Sequence, residues 1–294
     1  MNNIGIIFDS ILDDITSGLY SRFEKELINP NKEELFYNKD EINEICCVYT
    51  KDQDSISLVY DYSKYQGDTF PENIYNDRIK SFNEAKSLIN SDNIDLFINQ
   101  RKIKFKFKYT SHEGGDLKVK FKFKKLLTST SQMFYNCYSL KSIYLSLLNI
   151  SNVNDMSYMF YHCHSLESFN LTSKRTNRIK YMNCMFYNCQ NLKTVYFKLY
   201  KTSYLENLNH MFVNCSSLET LDLSSFRENS ISSMYSTFYD CSSLKVLDLS
   251  SIDSNNLLDI EHIFHNCTSY KKENVKLHKN AKKLKDKLDS CTIY

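Results

Sequence analysis

The sequence is poor in the residues that interrupt regular structure, and it has no long apolar run. Only 5 glycines and 2 prolines occur among its 294 residues, which excludes flexible linkers and the usual kind of disorder. No run reaches the ~18 apolar residues of a transmembrane helix. The formal net charge of +2 argues against a partner recognised by the charge of the whole protein. With 42% hydrophobic residues, the chain is globular and long enough for a substantial core.

Signatures of catalysis and of cofactor binding are missing as well. The sequence has no Walker loop, Gly-rich dinucleotide turn, paired-acid motif or Cys-x2-Cys zinc spacing. Its one Cys/His cluster is His162-Cys163-His164, in which the histidines flank a turn residue and do not converge. We therefore predict no catalytic residue, no cofactor, no metal site and no specific nucleic-acid motif.

What the chain does contain is a repeat of 26 residues. Residues 133–140 read Met-Phe-Tyr-Asn-Cys-Tyr-Ser-Leu, and near-copies return five more times without insertion or deletion. A phenylalanine stands three residues before every repeat cysteine, and positions that are apolar in every copy face a shared interior. The predicted structural core therefore includes a Phe column and a Cys column: Phe134, Phe160, Phe186, Phe212, Phe238 and Phe264, with Cys137, Cys163, Cys189, Cys215, Cys241 and Cys267.

The spacing of apolar residues changes at each cysteine. In the ten residues before it, here called the arm, the spacing predicts a short helix or an irregular helical turn. After it, alternation such as Ile143 and Leu145 predicts a strand. Stacked units form a solenoid whose parallel strands lie about 4.8 Å apart. Neighbouring cysteines would then have parallel Cβ vectors, so we expect buried free thiols instead of disulfides.

The repeat also resembles a known family. Met-Phe-x-x-Cys-x-Ser-Leu followed by Leu-Asp-Leu-Ser-Ser-Phe, clearest at residues 215–226 and 241–251, is similar to the repeat of the BspA-like leucine-rich-repeat surface proteins. The resemblance covers about residues 127–275 and implies an α/β leucine-rich-repeat solenoid with a parallel sheet on its concave face. It also implies an adhesion or protein-binding role without catalysis.

The remaining sequence suggests four segments. Residues 1–42 form an acidic helical segment, and residues 43–126 form a small α+β cap domain. The cap is predicted to have a hairpin of strands 45–49 and 56–60, a helix over 76–89 and strands at 94–98, 103–109 and 117–123. Residues 127–275 are the six-repeat solenoid, and residues 276–294 contain a C-terminal capping helix. In the last repeat Tyr270 replaces the usual leucine, and Glu273 falls at an apolar strand position.

The end of the cap domain carries alternating lysines on two predicted strands, which we expect to form a hairpin with all lysines on one face. The functional interpretation is a basic patch for phosphates, anionic lipid or an acidic protein. The alternative is a solvated face that protects an edge strand from aggregation, and it is favoured because no aromatic residue interleaves the lysines on their own face, as binding of a single-stranded nucleic acid would need. The patch consists of Lys102, Lys104, Lys106, Lys108, Lys118, Lys120, Lys122 and Lys124.

Function is then expected on the residues that vary between repeats. Outward strand positions of the concave sheet are candidates for partner binding, with the tyrosines favoured because they combine a large area with a polar tip. The two aspartates among them also match the family consensus, and for them a structural role is the alternative to partner binding. The candidates are Tyr144, Asn170, Tyr196, Asp222 and Asp248.

Two hypotheses remain open on this evidence. The first is a non-enzymatic protein-binding or adhesion protein with a protein or glycan partner. The family resemblance implies a location on the cell surface for it. The second is an intracellular scaffold that docks on an anionic surface through the lysines. It is favoured by a chain start that lacks a basic flank and the roughly 7–15 apolar residues of a secretory signal. An enzyme is a distant third.

Overall fold

The computed structural model describes residues 43–51, 55–64, 72–111, 115–145, 147–173, 176, 178–227 and 230–290. The described residues form one compact unit. The acidic helix predicted within residues 1–42 lies outside them. The strands are β1 (Glu44–Tyr49), β2 (Ser55–Ser57), β3 (Ile94–Ile98), β4 (Arg101–Ile103), β5 (Lys108–Thr110), β6 (Leu117–Phe123), β7 (Leu140–Tyr144), β8 (Ser168–Ser173), β9 (Thr194–Leu199), β10 (Thr220–Asp222), β11 (Val246–Leu249) and β12 (Val275–Leu277), and the α-helices are α1 (Glu72–Leu88) and α2 (Lys282–Ser290).

One ten-stranded sheet runs through the unit in the order β12-β11-β10-β9-β8-β7-β1-β6-β3-β4. From β7 to β12 the strands are parallel and each comes from the next repeat, which makes a mostly-sheet β-solenoid of about five turns. A second parallel ladder of single bridges joins the arms, starting with Ser129 to Asp155 and ending with Ser233 to Asp259. Each coil is therefore tied to its neighbours on two sides.

The interior of the solenoid is a stack of phenylalanine rings. All six members of the Phe column are buried, and successive rings lie nearly parallel with centroids 5.4–5.9 Å apart. Offset stacking at this distance adds favourable ring–ring contact to the burial of the side chains. The identical residue at the identical position of each coil thus produces a continuous aromatic spine.

The Cys column runs beside this spine, and its thiols act as hydrogen-bond donors. Cys163 Sγ donates to the carbonyl oxygen of Phe134 in the preceding coil at 3.1 Å. The same contact recurs at 2.9–3.2 Å for the four later cysteines. Each of these carbonyls also accepts the backbone N–H of its own coil's cysteine, so the thiol fills a second acceptor site. All nine cysteines among the described residues are free and buried.

The expected helical arm is wrong, because each arm is a succession of tight turns. Along residues 130–136, every second N–H donates to the next coil, as Phe134 does to Met159 O at 2.9 Å. The N–H groups between them close local turns, as Met133 N does onto Thr130 O at 3.1 Å and Tyr135 N does onto Gln132 O at 3.0 Å. An α-helix would direct all these donors within its own segment. The arm also contains two residues with positive φ, one and five positions before the cysteine, and this geometry interrupts a helix.

Antiparallel strands continue the sheet at its N-terminal end. β1 lies between β6 and β7, and its two adjacent cysteines, Cys46 and Cys47, are both buried. Residues near the 3₁₀ helix Tyr62–Lys64 supply the hydrogen bonds that a preceding coil would supply. Tyr60 N donates to Met133 O at 2.9 Å, and Tyr62 Oη donates to Ser131 O at 2.8 Å. The carbonyls of Ser131 and Met133 in the first arm therefore accept hydrogen bonds although no coil precedes this arm.

Two predicted hairpins of this region are wrong. β1 and β2 do not pair, since β1 is internal to the large sheet and β2 pairs with β5. The lysine strands do not form a hairpin either, because β4 turns back onto β3 and β6 is paired on both sides by β1 and β3. The β3–β4 turn is the two-residue loop Asn99-Gln100, with φ of 46° and 68°. Positive φ at both positions is the geometry of a tight two-residue hairpin turn.

The last coil differs from the 26-residue register. β12 aligns Val275 and Leu277 with Leu247 and Leu249, two residues later than the repeat predicts. The expectation that Glu273 occupies an apolar strand position is therefore wrong, because the 3₁₀ helix Lys272–Asn274 absorbs the two extra residues. Beyond it, α2 buries Leu284 and Leu288, and the Leu288 carbonyl accepts a hydrogen bond from Tyr270 Oη at 3.2 Å.

Candidate functional site

The strand positions expected to bind a partner lie in one row of the sheet but are mostly covered. Tyr144, Asn170 and Asp248 are only 7%, 8% and 5% exposed, while Tyr196 and Asp222 are half-buried. Both aspartates use one carboxylate oxygen to accept a backbone N–H two residues later, at 2.7 and 2.9 Å. These contacts turn the chain at the end of the strand, which is the structural role left open for them.

The lysines of the predicted basic patch are divided between two surfaces. On the large sheet, Asp95 pairs with Lys102 and Lys124 at 3.0 and 3.6 Å, and Glu44 pairs with Lys120 and Lys122 at 3.6 and 3.8 Å. The hydrogen bond from Lys102 lowers the pKa of the Asp95 carboxyl. Lys104, Lys106 and Lys108 are exposed on the segment from β4 into β5, and β5 pairs with β2 in the smaller sheet. Lys118, also on β6, is half-buried.

A groove on the outer side of the arms brings together more chemistry than either predicted site. Its volume is about 760 Å³, and residues of all six repeats line it. Tyrosine, histidine and asparagine side chains dominate its lining, and most of them are half-exposed. We call it the aromatic groove. It is lined by Tyr135, Tyr158, Tyr161, Cys184, Tyr187, Asn188, His210, Val213, Asn214, Tyr235, Ser236, Tyr239, Asp240, His262 and His265.

One column of the groove is a ladder of stacked rings two residues before each cysteine. Tyr135 stacks on Tyr161 with centroids 4.9 Å apart, and Tyr161 stacks on Tyr187 at 4.8 Å. Tyr239 stacks on His265 at 4.5 Å. Between these two stacks the same position is Val213, which is buried at the groove floor. The aromatic ladder is therefore complete except for one rung.

A polar ladder runs beside the rings, one residue before each cysteine. Asn214 Nδ2 donates to Asn188 Oδ1 at 2.8 Å, and Asn266 Nδ2 donates to Asp240 Oδ1 at 2.8 Å. Asn188 Nδ2 lies 2.7 Å from His162 Nε2. Burial, and then the nearby His164, lower the pKa of His162, so a neutral ring that accepts this hydrogen bond is favoured. These side chains belong to residues with positive φ, a conformation that asparagine tolerates better than most residues.

The electrostatics of the groove are mildly acidic. Its lining contains one carboxylate, Asp240, and neither lysine nor arginine. Burial raises the pKa of the Tyr187 hydroxyl, and the charge of Asp240 raises it further, which means that this carboxylate acts on the ring beside the missing rung.

The described residues offer little for other kinds of chemistry. Among them, no group of three or more His, Cys, Asp or Glu side chains is placed to hold a metal ion, and no helix is long and apolar enough to cross a membrane. Burial raises the pKa of the thiols of the first five repeat cysteines, Cys137 to Cys241, well above the usual range, which keeps them protonated. The pKa of Cys46 is raised to about 12, by burial and then by the charge of Glu44. These are properties of structural thiols.

The groove is not among the predicted sites, although the sequence carries a signal for it. The position two before each cysteine reads Tyr, Tyr, Tyr, Val, Tyr and His, and the following position is asparagine in four of six copies. Both columns were hidden by the expected helical arm, which gives no reason for side chains of equivalent residues to stack in register.

Comparison with known proteins gives one informative match. A family model described as "Mycoplasma protein of unknown function, DUF285" matches residues 102–198 and again residues 195–292. The two matches together span the solenoid and the end of the preceding antiparallel strands. No curated protein matches the chain.

Proposed function

The chain belongs to the DUF285 family, whose description assigns no activity, and we propose that it is a non-enzymatic binding protein that holds its partner in the aromatic groove. The observation that carries this proposal is the pair of stacked aromatic ladders, half-exposed along one face of the coils. Tyrosine and histidine rings offer large contact areas with polar tips. Here they are also held rigid by their neighbours, so little conformational entropy is lost on binding.

The groove is a better candidate than the strand row because its side chains are accessible. Three of the five strand-row residues are buried, and the two aspartates have backbone partners. The groove instead presents rings, amides and one carboxylate along a continuous surface. A surface of this kind suits an extended protein segment or a glycan chain.

We also propose that the repeats are of the BspA-like leucine-rich-repeat type, on the basis of the Met-Phe-x-x-Cys-x-Ser-Leu motif and its 26-residue period. This assignment favours an adhesion role at a cell surface. The alternative, an intracellular scaffold docked through the lysines, is weakened because Asp95 and Glu44 neutralise part of the basic surface.

A binding array tests the site. Labelled full-length protein is applied to arrays of peptides and of glycans, together with Tyr161→Ala plus Tyr239→Ala in the groove and Tyr196→Ala in the strand row as the matched control. We expect the wild type and the control to share a set of ligands that the groove variant loses. Loss of those ligands in the control alone would move the site to the strand row.

Surface biotinylation and fractionation of tagged full-length protein then separate the two cellular roles. Labelling of intact cells supports the adhesion role. Protein found only in the cytosol would reject it in favour of the scaffold. A scaffold that docks through the lysines must also lose its binding to anionic vesicles when Lys104→Glu and Lys120→Glu are combined.

A further inference from the structure

We propose that the missing rung at Val213 is a slot for the planar guanidinium group of an arginine in a partner peptide. This inference rests on the proposed function, since it names the chemistry recognised inside the aromatic groove. It is carried by the geometry of the ring ladder and by the one carboxylate in the lining.

The slot has the dimensions of one flat group. Successive rings in the ladder are 4.5–4.9 Å apart, and Val213 occupies the step between Tyr187 and Tyr239. Two coil steps separate those two rings by about 10 Å, so a flat group placed midway would lie about one step from each ring face. A valine side chain is too short to fill that space, and its burial puts an apolar floor under it.

The charge around the slot selects a cation. The polar ladder reads Asn136, His162, Asn188, Asn214, Asp240 and Asn266, so its single carboxylate occurs in the coil that follows Val213. The groove lining has no lysine or arginine that would neutralise this carboxylate. Val213 removes a ring from the aromatic ladder, and Asp240 adds a negative charge to the polar ladder. The two residues belong to different columns and to adjacent coils.

An arginine side chain fits both features, the missing ring at Val213 and the carboxylate of Asp240. Its guanidinium is planar and stacks on aromatic faces, and cations are attracted to the electron-rich faces of tyrosine. Its N–H groups can reach a carboxylate while the plane remains stacked. A lysine ammonium has the charge without the plane. A neutral ring or a sugar has a flat face without the charge. The slot therefore distinguishes these ligands by measurable differences in affinity.

The test uses the full-length protein and short peptides as probes. Acetyl-Gly-Arg-Gly-amide is titrated by NMR saturation transfer, alongside peptides in which the central residue is lysine, citrulline or tyrosine, and alongside a chitin trisaccharide. Citrulline keeps the planar shape of arginine and removes its charge. One side chain in one slot is expected to bind at about millimolar Kd, so titrations extend to roughly 10 mM.

Two variants locate the binding. Val213→Tyr restores the rung and should abolish arginine binding while the fold is kept, because the column already holds tyrosine in four other coils. Asp240→Asn restores the consensus of the polar ladder, can still accept the hydrogen bond from Asn266, and should weaken binding about tenfold. Asp222→Asn, which changes the same group outside the groove, is the control and should have no effect.

The outcomes separate this inference from the proposed function. Arginine binding that exceeds citrulline and lysine binding about tenfold and is lost in Val213→Tyr supports the slot. Equal binding of citrulline, or no arginine binding at the highest concentration, overturns it. Binding of tyrosine or trisaccharide that Val213→Tyr blocks also overturns the guanidinium assignment and leaves the groove as the site. If Val213→Tyr fails to fold, Asp240→Asn against Asp222→Asn decides the question.

Discussion

The aromatic spine makes a direct prediction about stability at its centre. Phe186 stacks on Phe160 at 5.5 Å and on Phe212 at 5.4 Å, and the edges of Phe169 and Phe197 approach it at 4.9 and 6.4 Å. Phe186→Ala removes all four ring contacts and leaves a cavity between two coils. No neighbouring coil can move into that cavity without breaking its own register with the next one.

The magnitude follows from the contacts. Truncation of a buried phenylalanine to alanine costs about 3–5 kcal/mol. Aromatic pairs contribute about 0.5–1.5 kcal/mol each beyond burial, so four pairs place Phe186→Ala near the upper end of that range. A domain of typical stability has about 5–15 kcal/mol in total. The variant should therefore lose between about one third and all of the free energy of unfolding.

Phe264→Ala is the matched control at the end of the spine. Phe264 stacks only on Phe238, at 5.7 Å, with a tilted contact to Tyr270 at 6.0 Å. With two aromatic pairs fewer, we expect its loss of stability to be about 1–3 kcal/mol smaller. The comparison holds residue type and burial nearly constant and changes the number of neighbours.

Urea denaturation followed by far-UV circular dichroism measures both variants. Since the chain contains no tryptophan, tyrosine fluorescence provides the second probe. The slope with denaturant should stay constant if the coils unfold together. A loss below about 1 kcal/mol for Phe186→Ala, or an equal loss at Phe264, would refute the stacked spine, because a buried phenylalanine truncation normally costs at least about 3 kcal/mol.

Three further predictions concern the columns beside the spine. The repeat cysteines of the native protein should resist thiol labelling until denaturant is added, because they are buried; rapid labelling of all ten cysteines of the chain would reject the buried column. Cys215→Ala should cost about 1–2 kcal/mol by urea denaturation, because it removes both packing and the thiol donor to Phe186 O, and an unchanged midpoint would contradict that contact. The pKa of His162 is lowered in the folded state, so the unfolded state binds its proton first as pH falls below about 6.5, and stability decreases there. His162→Asn should make the fall in Tm between pH 8 and pH 5 shallower, and an identical fall would exclude His162 as a cause.

The sequence predicts the solenoid because its period is strict. Phe and Cys recur at the same positions of six copies, and a position that is apolar in every copy must face inward whatever the local backbone does. Strand periodicity after each cysteine is equally direct, and β7 to β11 follow it in register. These features depend on spacing alone, which a single sequence displays completely.

The arm could not be assigned in the same way. Apolar residues three positions apart suit a helix, but they also suit successive turns of the same pitch, and only the hydrogen bonds to the next coil distinguish the two. The asparagine at the left-handed position before four of the six repeat cysteines was the available clue. Once the arm is extended from coil to coil, equivalent side chains stack, and the aromatic groove follows from the tyrosines already visible in the sequence.

Pairing partners of the cap strands also required the structure. The alternating lysines predict strands correctly at β6, but they do not say which strand lies beside it. The tight turn at Asn99-Gln100 makes β4 pair with β3. The edge of β7 that no other repeat covers pairs with β1. Because β1 contributes Glu44 and β3 contributes Asp95, the same pairing brings the two acids to the lysines.

The thiol-to-carbonyl contacts give folding of this protein a chemical precondition. Each contact needs its sulfur in the S–H form, and a disulfide or an oxidised sulfur cannot donate the bond. Ten cysteines on one unfolded chain can form many mispaired disulfides, and a disulfide between two of the five donor cysteines removes both donors and links coils that must stack freely. The order of events therefore matters: coils that stack while their thiols are reduced shelter them from oxidants, whereas a chain oxidised before stacking is trapped. Refolding yield should depend steeply on the reductant present during the first stacking steps and very little on the reductant added afterwards.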